Sequence, residues 1–465
     1  METNGQEEDT ILTEIVHIKT KQNVLTLTLK GLQVFQSKED ETSATTLKWP
    51  DVLCIQPSQT SSETGCYVLQ YIHHEANTSL QIKTLQIQEI SEQCVSLMNQ
   101  QIADSGRPKK LFVVINPIGG AGKGLQIYHE EAEPLFKLAG IDATIFVTER
   151  SKHALQIGEN TDFSQYDGIV VVGGDGLYQE LLQGITLQEQ KKSGINYDSP
   201  DTDLVKLNIP PIGIIPAGTG NATVRFYNGG FFTVRRTAIL NIIRGERYRA
   251  SVFAVYSNSK FFNVSHLQVT CGLFADIMKR AEELRWMKKF RYFYSILGQI
   301  LFSRKRYFDA EVYYRTLDVN SGVVVEANSS DWISLKPAIQ HCYSIYAMPF
   351  ELVDTGNTKY VNPFGQHCHL VISTGCSQLS SLLSLVSQNK TSKPGMEVMT
   401  NIIEFKIKVR RENSASPISD REARDIHLEK GIQIDGEFLK LETPEFSVRL
   451  QTSFVPVFGC KPAVT

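Results

Sequence analysis

The sequence predicts an α/β nucleotide lobe followed by a β-sandwich lobe, with a small β-rich domain in front. Three observations carry this. From Leu111 to Arg244, apolar strand-like runs alternate with segments of helical spacing, the pattern of a parallel, doubly wound sheet. From residue 246 the clear runs are strands instead: Ala250–Val255, Tyr307–Tyr314, His369–Ile372, Ile402–Val409 and Phe446–Leu450. Residues 11–104 hold period-two runs, Val24–Leu29 above all, closed by one helix-spaced stretch. The linker Asp104-Ser105-Gly106-Arg107-Pro108 separates this first domain from the next, so the domains read as 11–104, 108–245 and 246–460.

The totals agree. A chain of 465 residues exceeds one ordinary domain, and 42% hydrophobic with 21% charged residues is a globular composition. The net charge of −3 gives no reason to expect a nucleic-acid partner. Met1–Thr10 is polar and acidic, so neither a secretory signal nor a mitochondrial presequence is expected, and the stretch is read as disordered. No run approaches the ~18 apolar residues of a spanning helix. The eight cysteines are scattered without a C-x-x-C pair, which suits free thiols in a reducing compartment and offers no metal set. A cytoplasmic protein that touches membranes peripherally is the expectation.

In the first domain, Val24–Leu29 and Leu32–Phe35 flank Gly31, and further strands fit Val52–Ile55, Tyr67–Ile72 and Leu80–Leu85. Ile87, Ile90, Cys94, Leu97, Met98 and Ile102 then recur at helical spacing. Several strands capped by one helix describe a small barrel of pleckstrin-homology type. Its strands carry no Lys/Arg cluster, so nothing in them favours head-group binding.

The second domain opens on the strand Leu111–Ile115, which ends in Asn116-Pro117-Ile118-Gly119-Gly120-Ala121-Gly122-Lys123-Gly124. This is not a P-loop, since the glycine spacing is wrong and Gly124 stands where a Mg²⁺-binding hydroxyl would be. It still offers backbone N–H groups and one cation, Lys123. A helix over Leu125–Ala139, a strand Ala143–Val147 ending at Thr148, and a helix from Ser151 follow. The buried strand Ile169–Val172 stops at Gly173-Gly174-Asp175-Gly176, and Leu181, Leu182 and Ile185 continue at helical spacing. Strand, glycine turn, helix is the geometry in which N–H groups face an anion. Asp175 would repel that anion unless it has chemical work; the alternative is an Asp that shapes the turn. Leu187–Asn208 is polar and reads as a surface insertion. The strand Ile212–Ile215 ends in Pro216-Ala217-Gly218-Thr219-Gly220-Asn221, another strand-end loop suited to a nucleotide, since ligands of such sheets bind at the C-terminal strand ends.

Two features stand out in the third domain. Asp276–Arg306 interleaves Lys279, Arg280, Arg285, Lys288, Lys289, Arg291, Arg304, Lys305 and Arg306 with Trp286, Phe290, Tyr292, Phe293 and Tyr294. That mixture suits phosphates or a membrane surface, against the alternative of a solvated helix face. Gly431–Glu437 ends a strand in Asp435-Gly436, a hairpin signal that also sets two acids close together.

Taken in order, Asn116-Pro117 with its glycine loop, Gly173-Gly174-Asp175-Gly176, Pro216-Ala217-Gly218-Thr219-Gly220-Asn221 and Asp435-Gly436-Glu437 resemble the diacylglycerol-kinase catalytic superfamily, and within it the sphingolipid kinases. The resemblance implies an ATP- and Mg²⁺-dependent lipid kinase whose nucleotide lies between the two lobes. By the same resemblance Asp175 is the general base. Asn116, Gly119, Gly120, Gly122, Lys123, Thr148, Gly173, Gly174, Gly176, Gly218, Thr219, Gly220 and Asn221 hold the nucleotide, and Glu180 helps close its site. Arg285 and Arg291 meet phosphates, while Asp435, Gly436 and Glu437 lie near the Mg²⁺–nucleotide. Asp276, Met278 and Glu282 fall in the substrate segment. Sphingoid-base kinases carry an acid where this chain has Met278, and that acid holds the substrate's amine. A buried ammonium opposite a thioether lacks its counter-charge, whereas ceramide presents a neutral amide there, so the resemblance points to ceramide. Thr219-Gly220-Asn221 resembles the sphingoid-base kinases instead, and Glu282 or Glu283 is the acid that would then meet the amine.

Overall fold

The computed structural model describes residues 10–18, 21–35, 45–58, 65–74, 80–228, 235–287, 290–302, 308–316, 332–335, 339–354, 359–374, 396–410 and 431–460. Residues 1–9, the cations at 288, 289 and 304–306, and Cys376 lie outside the described residues.

The chain begins with seven strands in two antiparallel sheets, one built from Thr10–Ile18, Lys21–Thr28, Gly31–Phe35 and Thr45–Lys48, the other from Val52–Pro57, Tyr67–His74 and Leu80–Ile87. The period-two residues Leu25 and Leu27 point into one core with Val16, Trp49 and Ile55. The helix Glu92–Ala103 covers that core with Cys94, Val95, Met98 and Ile102. It starts where the Ser91 hydroxyl accepts the Cys94 N–H at 3.1 Å, an N-cap of the usual kind. This module is packed onto the next lobe rather than hung from a linker. Leu53, Ile72 and Leu80 share a core with Val113, Ile239 and Ile243. Arg244 Nε donates to Asp51 Oδ1 at 2.7 Å with both side chains buried. Arg107, from the linker itself, is buried with its guanidinium on the carbonyls of Val52 and Leu53.

The α/β lobe holds four parallel strands in the order Asp142–Val147, Lys110–Ile115, Gly168–Gly173, Ile212–Pro216. Ile169–Val172 has no solvent exposure, as expected of a parallel strand covered on both faces. The expected helix over Leu125–Ala139 is interrupted: a π turn, Tyr128–Ala132, joins Gly124–Ile127 to Glu133–Leu138. Pro134 has no N–H for a regular ladder, which accounts for the change of winding there. Helix Asp175–Ser193 crosses helix His153–Asn160 backbone to backbone, where a Cβ on Gly184 would stand 2.1 Å from the Leu155 carbonyl.

Two expectations need correction. Leu187–Asn208 lies at the surface but is not a loop inserted apart from the core. Its first residues continue the helix to Ser193, and Leu204 and Leu207 are core residues. The amide of Gln190 is buried against Val205, donating to its carbonyl and accepting its N–H, both at 2.8 Å. Residues 191–194 and most of 201–208 are exposed, so the polar composition does mark a surface, with Gln190 the polar residue held inside. The last lobe is strand-rich and has its own core around Phe253, Ile345, Phe405 and Val448. Its strands are not sheets apart from the α/β lobe, however. Apart from Glu351–Asp354 and Lys359–Asn362, which pair with each other, the lobe's described strands extend one mixed sheet of 15 strands, joined by the long strand Glu445–Phe458. That strand pairs antiparallel with Met396–Arg410 near its start and parallel with Ile212–Pro216 near its end. Helices Leu273–Glu283 and Phe290–Phe302 interrupt this lobe.

Candidate active site

Three parallel strands end side by side at Ile115, Gly173 and Pro216, and their turns form one wall of a cleft of about 680 Å³. Each turn is held in a different way. In the first, Asn116 Oδ1 accepts the N–H groups of Ile118 (3.0 Å) and Gly119 (2.9 Å). Gly120, at φ +62°, takes the left-handed conformation that glycine permits, and its α-carbon lies against Ala217. The second and third turns touch backbone to backbone. A Cβ on Gly218 would stand 2.3 Å from the Gly174 α-carbon, closer than any real contact. Asn221 braces the third turn, accepting the Gly218 N–H (3.2 Å) and donating to its carbonyl (2.9 Å).

Asp175 begins the helix that leaves the second turn, where an acid is favoured by the helix dipole. Its carboxylate is not loose. Oδ2 accepts the Ala222 N–H (3.0 Å), and Oδ1 accepts the Thr223 N–H (3.0 Å) and hydroxyl (2.8 Å). These bonds tie the second turn to the short helix after the third.

The opposite wall comes from the last lobe. Gly431–Ile434 and Glu437–Lys440 pair as a hairpin, and its two turn residues, Asp435 and Gly436, both have positive φ (50° and 95°), as a type I′ turn requires. So the hairpin reading and the site reading of this motif both hold. The Asp435 carboxylate faces inward and accepts the Ser265 hydroxyl (2.7 Å) and the N–H groups of His266 (2.8 Å), Leu267 and Gln268 (both 2.9 Å). Burial alone would raise its pKa; the His266 ring and these donors outweigh that and hold it below the ordinary carboxylate value. Helix Leu273–Glu283 adds Met278 and Glu282, four residues apart on one face, and Arg291 lies 3.9 Å from Glu282.

The cleft therefore gathers Asn116, Gly119, Gly120, Gly174, Asp175, Gly176, Gly218, Thr219, Gly220, Met278, Glu282, Arg291, Asp435, Gly436 and Glu437. Gly173 and Asn221 sit just behind it and shape the turns. Five expected residues stand elsewhere. Gly122 and Lys123 lie on the exposed outer part of their loop. Thr148 is buried, with its N–H and hydroxyl on the Ile115 carbonyl, at the end of the outermost strand. Glu180 is half-buried and accepts the N–H groups of Lys152 and Ala154, capping helix His153–Asn160; burial raises its pKa above the usual value. Asp276 is not among the residues lining the cleft. The Arg285 side chain lies outside the described residues.

The structure also adds residues. Gln433 lines the cleft fully buried, its Oε1 accepting from Thr270 (3.1 Å) and Gln268 (3.3 Å). Its Nε2 has no hydrogen-bond partner among the described residues. Thr223 and His266 lie behind Asp175 and Asp435. A lone Thr and a lone His carry no periodicity or spacing by which sequence could single them out. Among the described residues no three His, Cys, Asp or Glu side chains gather as a metal cage, and the seven described cysteines are free thiols.

Comparison with known proteins bears on this geometry. Residues 110–255 match the family model of the diacylglycerol kinase catalytic domain. Over 197 residues the chain is 36% identical to human ceramide kinase, a match that covers 42% of this chain and 36% of that protein. It is also 36% identical over 197 residues to sphingosine kinase 1 of Arabidopsis thaliana, covering 42% and 38%. The chain thus matches little more than a third of the length of these relatives. A crystal structure of a diacylglycerol kinase from Bacillus anthracis str. Sterne superposes with a TM-score of 0.50 at 16% identity, covering 77% of this chain and 99% of that one, which shows a shared fold. The residues that match the diacylglycerol kinase catalytic domain model include the three glycine turns and Asp175, in a chain similar to the ceramide and sphingosine kinases.

Proposed function

We propose that this chain is a lipid kinase that transfers the γ-phosphoryl group of ATP to the primary hydroxyl of ceramide. One observation carries the reading: Asp175 sits at the floor of a cleft whose one wall is glycine turns and whose other wall is a hairpin and a helix of a different lobe. A nucleotide on the first wall would face a lipid on the second, with the carboxylate between them.

The roles follow from the chemistry of each group. The N–H groups of the turns at Gly119–Gly120, Gly174–Gly176 and Gly218–Gly220, and the start of helix Asp175–Ser193, suit phosphate oxygens. At Gly176 a Cβ would meet only Glu437 Oε1, at 4.0 Å, so the backbone there is open to a ligand. Arg291 supplies positive charge for the phosphoryl group, and Asp175 takes the proton of the attacking hydroxyl. Phosphoryl transfer asks for little more than such positioning and charge neutralisation. Mg²⁺ would reach the site on the triphosphate. The oxygens of Asp175 and Asp435 are taken up by N–H and O–H donors, so these residues make no cage for the ion, and no step here depends on a protein-bound metal.

Ceramide is favoured by two neighbours of the cleft. Met278 offers no charge to an ammonium, and Gln433, buried behind the cleft surface, adds none either. Sphingosine is the second reading, supported by the Glu282 carboxylate in the same cleft, although Arg291 stands beside it. A peripheral membrane surface as partner is supported by Trp286, Phe290 and Phe293, exposed by 76%, 69% and 61%. No helix among the described residues is long and apolar enough to cross a membrane. The N-terminal module, seven strands and a closing helix, is read as pleckstrin-homology-like.

The test is a side-by-side assay with Mg²⁺–ATP on ceramide, sphingosine and diacylglycerol in mixed micelles, with Asp175→Asn as control. Ceramide turnover that the variant loses is the expected result. Turnover of sphingosine alone would transfer the reading to the second substrate, and no turnover of any lipid would overturn it.

A further inference from the structure

Behind the cleft floor, four side chains from four separate segments stand in line. Asp175 Oδ1 lies 2.8 Å from Thr223 Oγ1, Thr223 Oγ1 lies 2.8 Å from His266 Nε2, and His266 Nδ1 lies 2.7 Å from Asp435 Oδ2. The last contact is close but bent, an ionic contact more than a straight hydrogen bond. Thr223 and His266 have no solvent exposure, and Asp435 is buried. The Tyr178 ring meets the imidazole edge-on at 4.7 Å, and its hydroxyl reaches the Tyr227 hydroxyl at 3.4 Å. Asp175, Asp435, Tyr178 and Tyr227 are the titratable groups around the imidazole, and burial keeps both tyrosines neutral.

Counting protons gives the line a direction. Its three contacts need three hydrogens, one between each pair of neighbours. With both aspartates ionised and His266 neutral, the imidazole and the threonine hydroxyl supply only two. With the ring proton on Nε2, His266 donates to Thr223 and Thr223 to Asp175, and Nδ1 faces Asp435 without a hydrogen; with it on Nδ1, Thr223 satisfies Asp175 or His266 but not both. One more proton completes every contact.

We propose that Thr223 and His266 form a proton relay that empties Asp175 during phosphoryl transfer. The inference rests on Asp175 as the base of the proposed reaction. As the lipid's hydroxyl oxygen bonds to the γ-phosphorus and the bond to the departing ADP breaks, the hydroxyl proton passes to Asp175. The carboxyl hands it to Thr223 Oγ1, the threonine's own proton moves to His266 Nε2, and the imidazolium is held by the Asp435 carboxylate. Thr223 and His266 touch no substrate and act through Asp175. Asp435, on the hairpin of the far lobe, becomes the counter-ion of the transferred proton, which gives that motif a role besides its turn.

Thr223→Val tests this cleanly. It keeps the side-chain volume and the Thr223 N–H to Asp175 and removes only the hydroxyl. The variant is expected to lose at least about tenfold in kcat, within the ~10²–10⁴ of a whole general-base step, with KM for lipid and ATP unchanged; Thr223→Ser restores it. A kcat within twofold of the parent overturns the relay. A second measurement needs no turnover: the ¹⁵N spectrum of the histidine-labelled full chain. At neutral pH the His266 ring should carry one protonated and one unprotonated nitrogen. Its Nε2 signal should move in Asp175→Asn, which removes the charge facing the Thr223 hydroxyl, and again in Thr223→Val. An Nε2 signal indifferent to both variants, or a ring already doubly protonated at neutral pH, overturns the relay. If the parent phosphorylates no lipid, the proposed activity fails while the spectrum still decides whether the line exists.

Discussion

The contact between the second and third glycine turns can be tested by adding one methyl group. Gly218 does not have a positive φ, so alanine there costs nothing in backbone conformation and the effect is steric. The new Cβ would stand 2.3 Å from the Gly174 α-carbon and 2.7 Å from its nitrogen. Ordinary carbon contacts begin near ~3.5 Å, so the turns must part by about 1 Å. Both neighbours are backbone, so no flexible side chain can yield. The displaced turn is the one that leads into Asp175, whose carboxylate also accepts from the helix after the Gly218 turn.

Two magnitudes follow. Overpacking costs about 1–3 kcal/mol of stability, which a chain of this size survives. A shift of about 1 Å at a catalytic group costs on the order of 10²-fold in rate. Gly218→Ala should therefore stay folded, with a modest loss in urea unfolding, while kcat in the proposed lipid-kinase reaction falls about 100-fold. The unfolding curve and the initial rate are measured on the same preparation. A folded variant with kcat within threefold of the parent would show that the touching turns do not position Asp175.

Three further outcomes are expected. Met278→Asp should raise sphingosine turnover relative to ceramide by about tenfold or more, the equivalent of ~1.4 kcal/mol in differential binding; rates unchanged on both lipids would mean that Met278 does not meet the head group. Asp51→Ala leaves the buried Arg244 guanidinium with Glu246 as its remaining acid, and should cost about 3 kcal/mol in urea unfolding; a loss below about 1 kcal/mol would show that the N-terminal module does not lean on this pair. Trp286→Ser with Phe290→Ser should weaken sedimentation with anionic vesicles at least about tenfold, each aromatic contributing ~1.5–3 kcal/mol when buried, with turnover of a short-chain soluble lipid retained. Equal sedimentation of parent and variant would place membrane contact on another surface.

What could be read in the sequence was what repeats or punctuates. Ile169–Val172 is apolar because both faces of a central parallel strand are covered, and the glycines after it mark where the chain must turn within reach of a neighbouring turn. Asp435-Gly436 was legible because a type I′ turn has few sequences. Strand order was not legible, and it misplaced Thr148. Its strand, Asp142–Val147, lies outermost, so its end falls beyond the turns that make the cleft. Glu180 failed for a related reason. Five residues after Asp175 it points about 140° round the helix, toward helix His153–Asn160 instead of the cleft. Gln190 and the strand Glu445–Phe458 show a third limit. Polar residues hid a buried contact in one case, and in the other Gln451 to Ser453 broke up a strand that crosses both lobes.

The same limit explains why the residues behind the floor escaped notice. Thr223 follows the third turn, His266 follows a strand of the last lobe, and Asp435 comes some 170 residues later. Their juxtaposition depends on a sheet that runs unbroken from one lobe to the other, closed by a strand near the end of the described chain. Where a wall of a cleft is built by such long-range pairing, local patterns identify residues that line it, because turns and caps constrain their type. They do not identify the residues that face one another. Asp175 and Asp435 belong to both groups, which is why sequence found them and missed the Thr223 and His266 that join them.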